Sequence, residues 1–171
     1  IIRELPWDFP LPIVIIQHMP GGFTKPFAER LNSIGNLKVK EAANGDTIFP
    51  GNVYIAPGGK QLIFKRFVDN SVKLEVKESD NTLCYHPCID LSLESATKVF
   101  KNKALALILT GMGADGKEGV KALKSSGASI WVQDEKSSVV FGMPAAVLTA
   151  GLADRILHLA DISKALLDEV T

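Results

Sequence analysis

Residues 104–116, ALALILTGMGADG, decide the fold class of this chain. The first half is a short apolar run, which is typical of a strand buried in a parallel sheet. The second half is a glycine-rich turn that leads into a helical pattern. We therefore predict a strand over 104–110 and a helix over 115–125, the repeating unit of doubly wound α/β domains.

The same alternation of strand and helix recurs on both sides of this stretch. Residues 13–16 (IVII) predict a fully buried parallel strand, followed by a helix that Thr24 caps and that ends by Gly35. The fold class predicted is α/β: a three-layer, doubly wound, mostly parallel sheet with helices on both faces. The remaining predicted elements are helices over 89–100, from about 144 and over 161–169, and strands over 129–133 and 155–157.

A different pattern interrupts this alternation between residues 38 and 77. Apolar and polar residues alternate with period two in four short runs, separated by turn sequences at Asn44-Gly45, Pro57-Gly58-Gly59 and Asp69-Asn70. We predict that these runs are antiparallel strands inserted beside the main sheet. Residues 1–171 are predicted to form one domain, and residues 1–5 resemble the tail of an amphipathic helix that begins upstream.

Composition limits the functional classes. The 171 residues carry 19 Lys and Arg against 19 Asp and Glu, and the formal net charge is +0. Such a balance does not favour charge-driven binding to nucleic acids or anionic membranes. The longest apolar run, 104–109, is far shorter than the ~20 residues of a spanning helix, and the N-terminus has no signal pattern. We expect a cytoplasmic protein with no nucleic acid partner and no membrane insertion.

Two segments directly follow predicted strands, residues 17–20 and 110–116, where ligands bind in open α/β sheets. His18 could act as a general acid or base, although a hydrogen-bonded loop histidine is an equal alternative. Asp115 could orient and stabilise an imidazolium, but with Glu118 it also resembles a capping box for its own helix. Both interpretations remain open for each residue, whereas His158 is expected to be structural.

Residues 111–116 also match the pattern G-x-G-x-x-G, with glycines at Gly111, Gly113 and Gly116. Asp134 lies near the position where dinucleotide-binding domains have an acidic residue. This allows an alternative hypothesis, a dinucleotide-binding α/β module. Asp115 weakens it, because its charge would lie where a pyrophosphate approaches the helix. Only about 55 residues remain to complete a second nucleotide-binding half.

Three potential metal ligands alternate at Cys84, His86 and Cys88. A zinc site usually needs three or four ligands at recognisable spacing, and no fourth ligand is visible. We interpret the cysteines as free thiols and expect neither a metal nor a cofactor.

His18 and Asp115 together would make two-thirds of a hydrolase triad. The nucleophile is not evident, because the sequence has no G-x-S-x-G elbow. Ser137 and Ser138 precede an apolar segment that lacks the strand-turn-helix context of an exposed nucleophile.

At these residues the chain closely resembles the catalytic domain of the chemotaxis protein-glutamate methylesterase family (CheB type). The resemblance implies a serine hydrolase that removes methyl groups from γ-glutamyl methyl esters on chemotaxis receptors, releasing methanol. It also implies deamidation of receptor glutamines. The matching segments span nearly the whole chain: residues 17–20, 23–32, 51–58, 109–116, 133–135 and 137–144.

The resemblance also assigns residues. It implies that His18 is the catalytic histidine, that Asp115 is the triad aspartate, and that Met112, with Gly111 and Gly113 beside it, lines the substrate pocket. The family's nucleophilic serine lies in a strand-to-helix loop that we expect upstream of Ile1, as we do a regulatory receiver domain. A further alternative is therefore a non-catalytic receptor-docking domain.

One position departs from the family pattern. His86 stands where the family more often has arginine before the proline. We expect His86 to lie near the pocket without a catalytic role.

Overall fold

The computed structural model describes residues 1–79 and 82–170, and its elements confirm the predicted α/β class. Helices and strands alternate along most of the chain, and one antiparallel pair interrupts them. In chain order the elements are β1 (Ile13–Ile15), α1 (Thr24–Ile34), β2 (Lys38–Glu41), β3 (Asn52–Ile55), β4 (Lys60–Arg66), β5 (Val72–Glu78), α2 (Ile89–Phe100), β6 (Leu105–Ile108), α3 (Lys117–Ser125), β7 (Ser129–Gln133), α4 (Met143–Thr149), β8 (Arg155–Leu157) and α5 (Ile162–Val170).

Two three-stranded parallel sheets form the framework, in the orders β1-β3-β2 and β6-β7-β8. The central strands are the most buried, because they have neighbours on both edges and helices on their faces. Val53 and Ile55 of β3 and Ile130 and Val132 of β7 are all fully buried. The strand prediction for residues 13–16 was wrong in one respect: β1 is an outer strand, and its side chains are only half-buried.

The prediction of four antiparallel strands was half right. β4 and β5 pair antiparallel over their whole length, but β2 and β3 pair parallel to each other. Asn44-Gly45 is therefore not a hairpin turn. Residues 45–48 instead run antiparallel along the edge of β5, where Gly45 N donates to Leu74 O at 2.8 Å. The chain then enters β3 in the same direction as β2. Alternating hydrophobicity reports a half-buried strand but not its direction.

The start of α1 also differs from the prediction. Thr24 is the first residue of the helix and not its cap, and its side chain makes no capping hydrogen bond. The buried hydroxyl donates to Glu41 Oε1 at the end of β2 and accepts from Gly58 N at 3.0 Å. Thr24 thus fixes α1 against the loops that follow β2 and β3.

Three apolar clusters make up the core. One lies between the β6-β7-β8 sheet and α2, α3 and α4, and another lies between the β1-β3-β2 sheet, α1 and α5. The third joins β3 to the β4-β5 hairpin and α2, and the side chain of Ile16 packs against both this cluster and the first. Within residues 1–79 and 82–170, no helix reaches the length and apolarity needed to span a bilayer.

Candidate active site

The carboxyl ends of β1 and β6 bring His18 and Asp115 together, although they are 97 positions apart in the chain. His18 Nε2 lies 2.6 Å from Asp115 Oδ2. The Asp115 side chain is only 2% exposed, whereas that of His18 is 28% exposed. The pair therefore has a buried carboxylate behind an imidazole that reaches the surface.

Asp115 is held by the N-terminus of α2. Its Oδ2 accepts from Ile89 N at 2.8 Å, and its Oδ1 accepts from Asp90 N at 3.0 Å and from the Cys88 thiol at 3.5 Å. Burial acts to raise the pKa of Asp115. The two backbone N–H groups and His18 outweigh burial, so the pKa lies below its ordinary value. Asp115 is thus fixed as an anion facing the imidazole.

The predicted capping box is wrong, because Asp115 caps a different helix. α3 begins at Lys117, and its N-cap residue, Gly116, has no side chain to cap it. Glu118 pairs at the surface with Lys117 and Lys121. The role of cap for α3 falls to Asp90, whose Oδ1 accepts from Gly119 N at 2.7 Å. α2 and α3 therefore exchange aspartates, an arrangement between elements that local sequence pattern does not reveal.

The His18 ring has a second neighbour that sequence reasoning missed. The Tyr85 ring stacks on the imidazole, with 4.3 Å between ring centroids and 5° between planes. Because Nε2 faces Asp115, the nitrogen left for other chemistry is Nδ1. The sequence contains little to indicate this role, because Tyr85 is a single aromatic residue between Cys84 and Cys88 and belongs to no recognisable motif.

The potential metal ligands near Tyr85 have different partners. Cys84 is exposed, and Cys88 is buried beside Asp115, where burial raises the pKa of its thiol to about 11. His86 Nδ1 hydrogen-bonds Ser79 Oγ and lies 3.2 Å from Gln61 Nε2. His86 therefore contacts the β4-β5 hairpin, and the three side chains do not converge on one point.

The glycine-rich loop after β6 packs against the start of α4. Gly111 O accepts from Gly142 N at 3.0 Å and from Met143 N at 2.9 Å. A Cβ at Gly111 would lie 2.4 Å from Met143 Sδ, and Gly113 has a φ of +85°. Met112, between these glycines, leaves 80% of its surface exposed. Packing and backbone conformation thus account for these two glycines without a bound phosphate.

Gly116 also has a structural explanation. Its φ is +96°, and a Cβ there would lie 2.9 Å from Ile89 Cγ2. The two helix N-termini at this point already receive the Asp115 and Asp90 carboxylates. A pyrophosphate would meet the buried Asp115 carboxylate and the half-buried Asp90 carboxylate, so the geometry does not favour the dinucleotide alternative.

The serines considered as nucleophiles have partners of their own. Ser137 Oγ donates to Asp134 Oδ1, and Ser138 Oγ donates to Asp134 O at 2.7 Å. His158 Nδ1 accepts from Ala160 N at 3.2 Å, the structural role expected for it. These residues form the loop after β7 and a turn after β8.

Comparison with known proteins gives consistent matches along the chain. Residues 1–166 match the model of a family described as CheB methylesterase. The crystal structure of the Thermotoga maritima CheB methylesterase catalytic domain superposes with a TM-score of 0.95 at 43% identity, covering 99% of this chain and 89% of that one.

Curated relatives carry a double name, protein-glutamate methylesterase/protein-glutamine glutaminase. Number 4 of Hahella chejuensis is 49% identical over 170 residues, which are 99% of this chain and 44% of the relative. Number 1 of Pseudomonas aeruginosa is 47% identical over 168 residues, which are 98% of this chain and 45% of the relative. The chain thus spans less than half the length of these relatives.

Proposed function

Because the chain belongs to the CheB methylesterase family, we propose that it is the hydrolytic core of an enzyme that demethylates chemotaxis receptors. The substrate is a glutamate γ-methyl ester on the cytoplasmic part of a receptor, and the products are glutamate and methanol. The same site deamidates receptor glutamines. The curated relatives named above support both activities, since their names contain a methylesterase and a glutaminase.

The hydrogen bond between His18 and Asp115 is the observation that carries this proposal. A buried carboxylate that fixes an exposed imidazole is the arrangement with which hydrolases activate a hydroxyl nucleophile. Here Asp115 occupies Nε2. We therefore assign Nδ1 as the atom that takes the proton of the nucleophile and later returns it to the leaving group.

We place the nucleophilic serine upstream of Ile1, in a longer chain such as those of the curated relatives, of which this chain spans 44–45%. β1 and β6 are outer strands of their sheets, and the loops at their carboxyl ends meet at His18 and Asp115. A parallel strand inserted between β1 and β6 would end at the same edge. A serine in the loop after that strand would then reach His18.

The reaction proceeds in two balanced steps. The serine oxygen attacks the ester carbonyl as His18 Nδ1 takes its proton, and methanol leaves with that proton, which gives a glutamyl-serine ester. Water then attacks this ester, again by way of His18, and regenerates the serine and a free glutamate. In deamidation, ammonia leaves in place of methanol.

Two further assignments belong to this proposal. Met112 and its flanking glycines line the pocket that receives the methyl ester, because the exposed thioether stands in the loop directly before Asp115. The complete protein works in the cytoplasm, where an upstream receiver domain controls access to the site.

The test is methanol release from a methylated receptor fragment by the full-length protein. We expect His18→Ala to lower turnover by at least ~10³-fold. His158→Ala is the matched control, since this exposed histidine caps the turn after β8. If the wild-type protein binds the fragment without releasing methanol, the receptor-docking alternative is favoured. Equal rates of methanol release by His18→Ala and His158→Ala would refute the role of His18.

A further inference from the structure

Tyr85 covers one face of the His18 imidazole. The two rings are parallel within 5° and their centroids are 4.3 Å apart. The tyrosine is 39% exposed, and its hydroxyl lies close to the loop at Gly113, 3.1 Å from the position of a Cβ there. The other face and the Nδ1 edge of His18 are the approaches that remain for a nucleophile and a substrate.

A single hydrogen bond does not define the plane of an imidazole. The bond from Nε2 to Asp115 holds one atom of the ring, and the ring can still tilt about that contact. Tilting moves Nδ1, on the opposite side of the ring, away from the line of proton transfer. A parallel aromatic neighbour limits this motion, because tilting loses the stacked contact on one side and causes a clash on the other.

The backbone that carries Tyr85 is itself fixed to the β4-β5 hairpin. Gln61 of β4 is 4% exposed, and its Nε2 donates to Tyr85 O at 2.8 Å. Its Oε1 accepts from Cys88 N at 2.8 Å, so one buried amide holds both ends of the segment. The backbone of Tyr85 is therefore held in place, and its ring stacks on His18 from a supported position.

We propose that Tyr85 is a positioning residue, whose ring holds the His18 imidazole in the plane that directs Nδ1 toward the nucleophile. This inference rests on the proposed function, in which His18 Nδ1 is the general base. The stacked ring performs this role, and the phenolic hydroxyl is not needed for it. The proposal therefore predicts different effects for two substitutions: Tyr85→Phe keeps the aromatic ring, and Tyr85→Leu removes it.

The kinetic test uses the full-length protein and the methylated receptor fragment. We expect Tyr85→Leu to lower kcat about 3- to 10-fold with little change in KM, because ring placement affects proton transfer and not substrate affinity. Tyr85→Phe should retain the wild-type kcat. Trp7→Leu is the matched control and should leave kcat and KM unchanged. Trp7 is 75% exposed and lies next to Gly51, at the amino end of β3, whereas His18 lies at the carboxyl ends of the strands.

The structural test is independent of turnover. In the same protein with isotope-labelled histidine, the Tyr85 ring current should shift the carbon-bound ring protons of His18 upfield. Tyr85→Phe should preserve this shift and Tyr85→Leu should abolish it, while the signals of His158 stay unchanged and report an intact fold. Tyr85→Met serves as the second non-aromatic variant if the leucine protein does not fold.

The outcomes distinguish this inference from the function on which it rests. Unchanged His18 ring signals in the non-aromatic variants would overturn the positioning role, as would a Tyr85→Phe protein that loses as much kcat as Tyr85→Leu. A rise in KM alone would assign Tyr85 to substrate binding and also overturn the inference. Absence of methanol release by the wild type would refute the proposed function, and the spectra would still decide the placement of His18.

Discussion

The Asp115 carboxylate serves the fold and the site at once, since it accepts hydrogen bonds from Ile89 N, Asp90 N and His18 Nε2. An asparagine at this position has one acceptor oxygen and directs an amide NH₂ toward one of these partners. We expect Asp115→Asn to lower turnover by ~10³- to 10⁴-fold and the free energy of unfolding by ~1–3 kcal/mol. Methanol release and urea unfolding measure the two effects.

The matched control for this substitution is Asp168→Asn on the exposed face of α5. It should change neither quantity. If Asp115→Asn kept the wild-type turnover, Asp115 would act only as a cap of α2, and this result would remove the aspartate from the proposed mechanism.

The sequence predicted individual site residues where a strand end, a turn and a polar side chain coincide. His18 and Asp115 were singled out on that basis, and they lie within hydrogen-bonding distance of each other. Tyr85 was missed because its importance comes from a contact between loops that are distant in the chain. Position relative to a strand is a local property, whereas stacking on another loop is not.

At the scale of elements, the exchange of aspartates between α2 and α3 gives a stability prediction. Asp90 Oδ1 accepts from Gly119 N, and Asp90 N donates to Asp115. We expect Asp90→Ala to lower the free energy of unfolding by ~1–2 kcal/mol, because the N-terminus of α3 loses its acceptor. Urea unfolding measures this loss.

Glu118→Ala provides the comparison for Asp90→Ala. Local pattern makes Glu118 the capping partner of α3, but in the structure its carboxylate pairs with the surface lysines Lys117 and Lys121. Its removal should change stability by less than ~0.5 kcal/mol. The reverse order of the two losses would contradict the exchange of caps.

A second prediction at this scale concerns pH and the loop before β8. The pKa of Asp154 is lowered mainly by its hydrogen bond from Lys124, with a further bond from Ile130 N at 2.8 Å. A carboxyl with a lower pKa in the folded state stabilises the fold above its unfolded pKa of ~3.9, and this contribution disappears as the pH falls toward the folded value. We expect Asp154→Asn to lose less stability than the wild type between about pH 5 and pH 3.

Unfolding of both proteins at the two pH values measures that difference. Asp161→Asn, at the start of the last helix, is the control and should follow the wild type. If the loss on acidification were equal in Asp154→Asn and the wild type, Asp154 would have no stabilising ion pair in solution.

The bounds of most elements could be predicted, but the direction of some strands could not. Residues 89–100, 129–133 and 155–157 form the predicted elements. β2 and β3 have the hydrophobic alternation of strands, yet they run parallel because the connecting residues 45–48 run antiparallel along the edge of β5 before the chain enters β3. That connection depends on tertiary hydrogen bonds to β5, which a single-sequence pattern does not contain.

For the whole molecule, the arrangement of two parallel sheets with β1 and β6 as outer strands predicts the effect of the upstream sequence. If a strand inserts between β1 and β6, as the proposed function requires, it pairs with the outer edges of both. Amide groups on those edges should exchange with solvent rapidly in residues 1–171 alone and slowly in the full-length protein. Hydrogen exchange measured by NMR or mass spectrometry compares the two.

Amides of β7 provide the internal reference, because this central strand already has neighbours on both edges. Their protection should differ only by the change in global stability, whereas protection of β1 and β6 should rise by more. Equal changes in all three strands would mean that the upstream sequence stabilises the domain without entering the sheet. The serine would then need another route to His18 Nδ1, and the proposed mechanism would lose the geometry that brings its nucleophile and base together.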